Sequence, residues 1–365
     1  GRLQALMSDS RIRVPMVDLR PMLAATESAW RANLERLFSR MHFILGEQVE
    51  AFEKELACEL GAKHAVGVGS GTAAIELALR ALPRVAGRNE VILPALTSPF
   101  CAQAVLAAGY RPKFADVDPD HLLLDPADAA RRAGARTRAV LPVHLYGQPA
   151  PLTGLPRGVA IVQDACQAHG APLRFSHPAA LSFYPTKNLP CLGDGGAVLT
   201  DSRVLAERLR SLRDGGRRGG QVSRIRAVNS RLDEMQACYL RAFLPKLREW
   251  NASRCRLAVN YDTFLANCRG VRPVPRRPGS VCHLYVVRIR NREAVRRHLA
   301  AHGIATGVHY PVPLHWQPAF REFGPRRGGL PVAEHVCREI LSLPLWPDLT
   351  AEEQSLVVGH LAEVV

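Results

Sequence analysis

Between residues 64 and 201 the chain alternates short apolar runs with stretches of helical period, and this alternation most restricts its fold. HAVGVGS (64–70) reads as a strand, with TAAIELALRAL (72–82) as an amphipathic helix directly behind it. EVILPAL (90–96) is a strand followed by a helix through CAQAVLAAG. KFADVD (113–118), RAVLPVHLYG (138–147), VAIVQDACQAHG (159–170), AALSFYPT (179–186) and GAVLTD (196–201) supply further strands. Strand, helix, strand at this spacing calls for a mainly parallel sheet covered by helices. Functional groups in such sheets gather in the loops beyond the carboxyl ends of the strands. Ser70, Thr72, His144, Asp164 and Gln167 occupy those positions. After Asp201 the pattern turns helical, through RVLAERLRSL and a long stretch over 232–266. The last hundred residues form a smaller unit: a strand in VCHLYVVRIR, a helix in REAVRRHLAAHG, the loop ATGVHYPVPLHWQPAF and a closing helix. The expected organisation is a large α/β domain over 1–245 and a smaller C-terminal α/β domain over 246–365.

Composition narrows the class of protein. Hydrophobic content of 47% and charged content of 22% describe a globular chain with a sizeable core. No apolar run reaches the ~18 residues that cross a bilayer, so no membrane is expected. The opening GRLQALMSDSRIRV lacks a basic-then-apolar signal pattern, and the expected location is cytoplasmic. The nine cysteines contain no CxxC pair, so neither zinc nor a redox dithiol is indicated and no metal is expected. The formal net charge is +15. The arginines are spread along the chain with no aromatic-interleaved basic stripe, which favours an arginine-rich surface over nucleic-acid binding. Positive potential that steers a phosphorylated substrate into a cleft also fits.

Three stretches carry chemistry. GVGSGTAAIELALRAL ends a strand and opens a helix, so its backbone N–H groups and the Thr72 hydroxyl can seat a phosphate; plain helix capping is the alternative. VQDACQAHGA places Asp164 at the end of an apolar strand, followed by Gln167 and His169. SFYPTKNLPCLGDGGAV holds Lys187 between Ser182 and a glycine cluster at 193, 195 and 196. Of 48 basic residues only five are lysine, so a retained lysine points to a need for an amine rather than for charge alone. Glycines there would let the chain approach a flat ligand closely. Pyridoxal phosphate needs an amine for an imine, an acid opposite its ring nitrogen and a phosphate seat. Lys187, Asp164, and Gly71 and Thr72 with Ser182 supply those parts.

The ordered blocks GSGTAAIELALRAL, LPVHLYGQPA, QDACQAHGA, SFYPTKNLPCLGDGGAV, NSRLDEMQA and HYPVPLHWQPAF resemble the DegT/DnrJ/EryC1/StrS family of sugar aminotransferases nearly end to end. The resemblance implies a fold-type-I, aspartate-aminotransferase-like architecture, with a mainly parallel seven-stranded sheet in the large domain. It implies a homodimer with shared active sites. It implies that Lys187 bonds to the cofactor and later shuttles a proton. Asp164 would pair with the pyridine nitrogen and Gln167 would contact the ring. Gly71, Thr72 and Ser182 would hold the phosphate. Asn229, in NSRLDE, would reach the phosphate bound by the neighbouring subunit; an N-cap for a helix starting near Leu232 is the alternative. His309 and His315 lie in a loop that the family uses near the sugar. Where many relatives carry an aromatic that stacks on the cofactor this chain has Ser98, and Phe100, two residues on, is the candidate for stacking.

A lysine at 187 implies transamination, since a branch of the family with histidine there dehydrates or deoxygenates its substrates. L-Glutamate would supply the amino group, with pyridoxamine phosphate as the second cofactor form, and a ketosugar would receive it. The wording around Lys187 is most similar to the branch that aminates nucleotide-linked 3-keto-6-deoxyhexoses, which implies a dTDP-linked substrate in antibiotic or glycan biosynthesis. A free cyclitol ketone of the scyllo-inosose type and a non-catalytic regulatory homologue are the alternatives.

Overall fold

The computed structural model describes residues 12–365. Its centre is built from two four-stranded ladders, ordered β3-β2-β4-β5 and β6-β7-β8-β1. The strands are β1 His64–Val68, β2 Glu90–Pro94, β3 Arg111–Ala115, β4 Thr137–Val140, β5 Ala160–Ile161, β6 Gln163–Asp164, β7 Ala179–Ser182 and β8 Gly196–Thr200. Only Val162 separates β5 from β6. Its N–H donates to Val140 O, and the Asp164 N–H donates to Pro142 O, so the two ladders continue into one sheet. With 160–164 taken as one strand, the sheet runs parallel except for β8, which is antiparallel to both of its neighbours, β7 and β1.

Helices cover both faces, as parallel strands buried on two sides require. Their ranges are α1 Arg20–Ala25, α2 Glu27–Arg40, α3 Glu47–Leu60, α4 Gly71–Ala81, α5 Pro99–Ala107, α6 Pro126–Arg132, α7 Arg203–Arg213, α8 Glu234–Phe243 and α9 Leu247–Leu265. On one face Ile75 and Leu79 of α4 and Leu209 of α7 pack on Val66, Val68 and Leu93. On the other, Phe52 and Leu56 of α3 and Leu240 and Phe243 of α8 pack on Leu181, Phe183 and Leu199. The C-terminal part adds a three-stranded antiparallel sheet of β9 Arg272–Pro273, β10 Tyr285–Arg288 and β11 Ile340–Leu343, with α10 Arg292–Ala301, α11 Pro331–Val336 and α12 Ala351–Ala362. Its core joins Tyr261, Tyr285, Val287, Val295, Leu341, Val357 and Leu361. Val14 packs into that same core, and α9 contributes Leu247 and Trp250 to one core and Leu257 and Tyr261 to the other. No helix among the described residues is long and apolar enough to cross a membrane.

The stretch expected as helical over 232–266 divides. α8 stops at Phe243, Leu244–Lys246 form a 3₁₀ turn around Pro245, and α9 starts afresh. Proline has no N–H to continue a helix, which accounts for the break. The N-cap of α8 is Asp233, whose carboxylate accepts from Gln236 N at 2.8 Å. Asn229 is therefore not the cap. Glu234 closes the start of a different helix, α3, by accepting from Gly46, Gln48 and Val49 N–H groups at 2.8 to 3.0 Å.

β1 is fixed by a buried ion pair. Glu53 of α3 accepts from Gly67 N at 2.8 Å and pairs with Arg213 of α7, which also donates to Gly67 O at 2.6 Å. Removing one partner of a buried pair leaves the other charge uncompensated, at a cost of roughly 3–5 kcal/mol. Glu53→Gln is therefore expected to destabilise the fold by about that amount in chemical denaturation. Lys54→Ala, at the exposed neighbouring position, is expected to shift it by less than about 0.5 kcal/mol.

Candidate active site

Three strand ends, those of β1, β6 and β7, bring Ser70, Asp164 and Ser182 to one edge of the sheet. β1 ends in Ser70, whose hydroxyl caps α4 by accepting from Ala73 N at 3.1 Å. The N–H groups of the first turn of a helix have no intrahelical acceptor and carry the positive end of the helix dipole. Gly71 and Thr72 lie on that turn, beside Ser182 at the end of β7. The fit is close: a Cβ at Gly71 would stand 2.5 Å from Ser182 Cβ and 2.9 Å from Cys166 Sγ. Glycine is the residue this approach admits. Two of the glycines after Lys187 also permit close packing of the chain on itself. A Cβ on Gly196 would collide with the Ser70 carbonyl, and one on Gly195 would meet Leu232 Cδ1 at 3.1 Å.

Asp164, buried at the end of β6, accepts from Cys166 N at 3.0 Å and from the Cys101 thiol at 2.9 Å. Burial, with the Asp164 charge beside it, pushes the Cys101 thiol well above its ordinary pKa, so the thiol stays a donor. His144 supports the strand end from below: its N–H donates to Asp164 O at 2.9 Å. Its Nδ1 accepts from Ala150 N at 2.8 Å, which puts the ring proton on Nε2, 3.2 Å from Gln163 Oε1. Burial holds this imidazole down at about 4, against the opposing pull of Asp164.

Lys187 follows a turn closed by its own N–H on Tyr184 O at 2.8 Å. It is half-buried, and among the described residues its amine makes no hydrogen bond or ion pair. The next residue anchors it. Asn188 Nδ2 donates to Asn251 Oδ1 at 2.8 Å and Val281 O at 3.0 Å, and its Oδ1 accepts from His283 Nδ1 at 2.9 Å. Asn251 in turn donates to His169 O at 2.8 Å. Three imidazoles feel the charge of the Lys187 amine. Burial, followed by the Lys187 charge, pushes His169 down to about 3 and His309 to about 4, and lowers His283 far below its ordinary value. All three imidazoles therefore stay neutral at neutral pH.

The remaining expected residues divide. Gln167 has both polar atoms engaged within the chain: Oε1 accepts from Tyr146 N at 2.7 Å and Nε2 donates to the Tyr310 hydroxyl at 3.3 Å. His309 reaches the Lys187 pocket on the same loop, with Nδ1 2.8 Å from Ser342 Oγ. His315 instead sits in a buried pair, Nε2 at 3.1 Å from Glu334 Oε1, and Glu334 also takes the Gly328 and Leu330 N–H groups. Phe100 lies on the first turn of α5 next to Cys101, with 63% of its surface exposed. Asn229 is exposed, on a loop bridged to Asp214. Sequence reasoning missed Cys101, Asn188, Asn251, His283 and Tyr310, because their partners stand 63 to 143 positions away in the chain. Only the Asn that directly follows Lys187 carried a local signal.

Pyridoxal phosphate fits these residues: an amine with no partner among the described residues, a buried carboxylate on the strand next to Ser182, and a helix start kept open by Gly71. The chain matches the DegT/DnrJ/EryC1/StrS aminotransferase family over residues 26–362. It is 43% identical over 364 residues to the dTDP-3-amino-3,4,6-trideoxy-alpha-D-glucose transaminase of Streptomyces venezuelae, covering 96% of each chain. The crystal structure of S. venezuelae DesV in complex with a ketimine intermediate superposes with a TM-score of 0.93 at 42% identity, covering 96% of this chain and 98% of that one. The structure of NtdA from Bacillus subtilis with bound cofactor PMP gives 0.88 at 27% identity, covering 98% and 86%. Sequence, sheet topology and site agree: this chain belongs to the DegT/DnrJ/EryC1/StrS family and is a fold-type-I, pyridoxal-phosphate-dependent aminotransferase.

Proposed function

We propose that the enzyme transfers an amino group from L-glutamate to a nucleotide-linked ketosugar, with a dTDP-3-keto-6-deoxyhexose as the substrate to test first, in antibiotic or glycan biosynthesis. The observation that carries this is the Lys187 amine, unpartnered among the described residues, on a chain whose nearly full length resembles transaminases named for dTDP-3-amino sugars. Pyridoxal phosphate, when bound, supplies an aldehyde that condenses with amines and a ring that takes up the electron pair of a broken C–H bond. Gly71, Thr72 and Ser182 would hold its phosphate, Asp164 would keep the ring nitrogen protonated, and Gln167 and Phe100 would border the ring. Lys187 supplies the amine that holds the cofactor and then moves the proton at the reacting carbon. Asn188, tied to Asn251, Val281 and His283, fixes the direction from which that amine arrives. His309 borders the sugar side, and the arginine-rich surface suits an approaching diphosphate.

The decisive measurement is a half-reaction. Enzyme loaded with pyridoxamine phosphate is offered a panel of nucleotide-linked ketosugars and free inososes. The near-visible band is expected to return with a nucleotide ketosugar; return only with inososes would overturn the substrate assignment. Lys187→Arg keeps the charge and loses the proton relay, so its turnover is expected to fall by roughly 10²–10⁴-fold or more.

The same reading makes the enzyme a homodimer in which Asn229 reaches the phosphate held by the partner. Two features support it. The Asn229 side chain is exposed and makes no hydrogen bond among the described residues. Met41, Phe43 and Ile44 leave an apolar patch beside Met235, with Met41 70% exposed. Two inactive variants, Lys187→Ala and Asn229→Ala, should then complement. After subunit exchange half of the dimers are mixed and each has one intact site, so roughly a quarter of wild-type activity is expected. No recovery in a mixture shown to have exchanged would place Asn229 outside the neighbouring site.

A further inference from the structure

Four potential ligands from two helices converge on the C-terminal part of the molecule. His298 lies on α10 and His302 caps its C-terminal end, one turn apart and therefore on the same face. His360 lies on the last turn of α12, and Glu363 caps that helix. One donor atom from each lies within 4.8 Å of all the others. Glu363 Oε2 stands 3.0 Å from His298 Nε2 and 3.2 Å from His360 Nδ1. The His302 ring stacks on His360 with centroids 4.0 Å apart and planes at 22°.

The outer contacts orient the set. His302 Nδ1 is 2.9 Å from His298 O, and a carbonyl only accepts, so Nδ1 carries the proton and the Nε2 lone pair is left for the cluster. A metal-bound histidine is typically held by such a bond from its second ring nitrogen to a carbonyl or carboxylate. Two cationic imidazoles stacked at 4 Å would repel, whereas neutral ones around a shared cation would not. The three histidines are half-buried and Glu363 is exposed, so solvent reaches the cluster.

We propose that His298, His302, His360 and Glu363 bind a divalent transition-metal ion of the Zn²⁺ type. Metal–nitrogen and metal–oxygen bonds of about 2.0–2.2 Å in a tetrahedron set donor atoms roughly 3.3–3.5 Å apart. The separations here, from 3.0 Å for the hydrogen-bonded pair to 4.8 Å at the widest, bracket that spacing, so small side-chain rotations complete the shell. The bound ion fastens α12 to α10, clamping the end of the helix that packs Val357 and Leu361 into the C-terminal core. This site is independent of Lys187 and of the aminotransferase reaction.

The test uses the cofactor-loaded enzyme stripped of metal with a chelator, and ZnCl₂ as the probe. Calorimetry is expected to give one tight equivalent per chain, and saturation at a hundred times Kd to raise Tm by roughly 3 °C. Co²⁺ in the same site is expected to show the intense visible absorption of a four-coordinate N/O shell. His302→Gln and Glu363→Gln should each weaken Zn²⁺ binding at least tenfold. His335→Gln should leave it unchanged, because it removes an exposed histidine–carboxylate pair of ordinary kind on α11. Glu363 is exposed, so its variant folds whatever the ion does. Absence of a tight equivalent in the wild type, or binding that survives unchanged in both cluster variants, would overturn the assignment.

Discussion

The approach of Ser182 to the first turn of α4 is the contact on which the rest of the site depends. It exists because the antiparallel strand β8 inserts between β1 and β7, and because Gly196 pairs with Val68 on one side and Ser182 on the other. A side chain at Gly196 or Gly71 would wedge the helix start away from the sheet edge. With both positions bare, the positive end of α4 faces a serine hydroxyl across a short gap. Asp164 then follows on β6, paired with Ala180 of β7, so the acid is placed by the register of the same sheet. Ser182 and Asp164, proposed to face the phosphate and the ring nitrogen, are separated by strand spacing, a distance that backbone hydrogen bonds hold far more firmly than side-chain contacts would.

The lysine is held by different means. It lies on a loop, outside any ladder, and its position comes from the buried amide of Asn188 and the three groups that satisfy it. Buried polar networks of this kind are costly when a member is missing and rigid when complete. Burial, with the Lys187 charge, keeps His169, His283 and His309 neutral. Neutral rings add no second positive charge beside the lysine.

Much of this was legible in the sequence, and for a physical reason. Strand-end residues are announced by the apolar run before them, so Asp164, Ser182 and the Ser70–Thr72 turn could be placed without coordinates. Lys187 stood out by its rarity. The glycine cluster was located from sequence, but its tight fit against Ser70 and Leu232 was not visible there. The break at Pro245 was written in the residue itself, and the helical period around it hid the signal. The amide network, the Cys101 thiol on Asp164 and the capping of α3 by Glu234 were illegible. Each joins residues at least 60 positions apart, and their types are unremarkable in isolation. The histidine cluster was hidden for a related reason: no compact motif links 298 and 302 to 360 and 363.

The anchoring of Asn188 reaches across the molecule. Asn251, Val281 and His283 all lie beyond Pro245, in the portion of the chain that carries the loop with His309 and Tyr310. The perch of the Lys187 amine is thus half-owned by the C-terminal segment, which also carries His309, the residue proposed to border the sugar. A chimera that borrowed residues 246–365 from a relative to change sugar preference would carry away the lysine's own moorings unless these three were matched, so specificity and chemistry in this enzyme cannot be exchanged as separate modules.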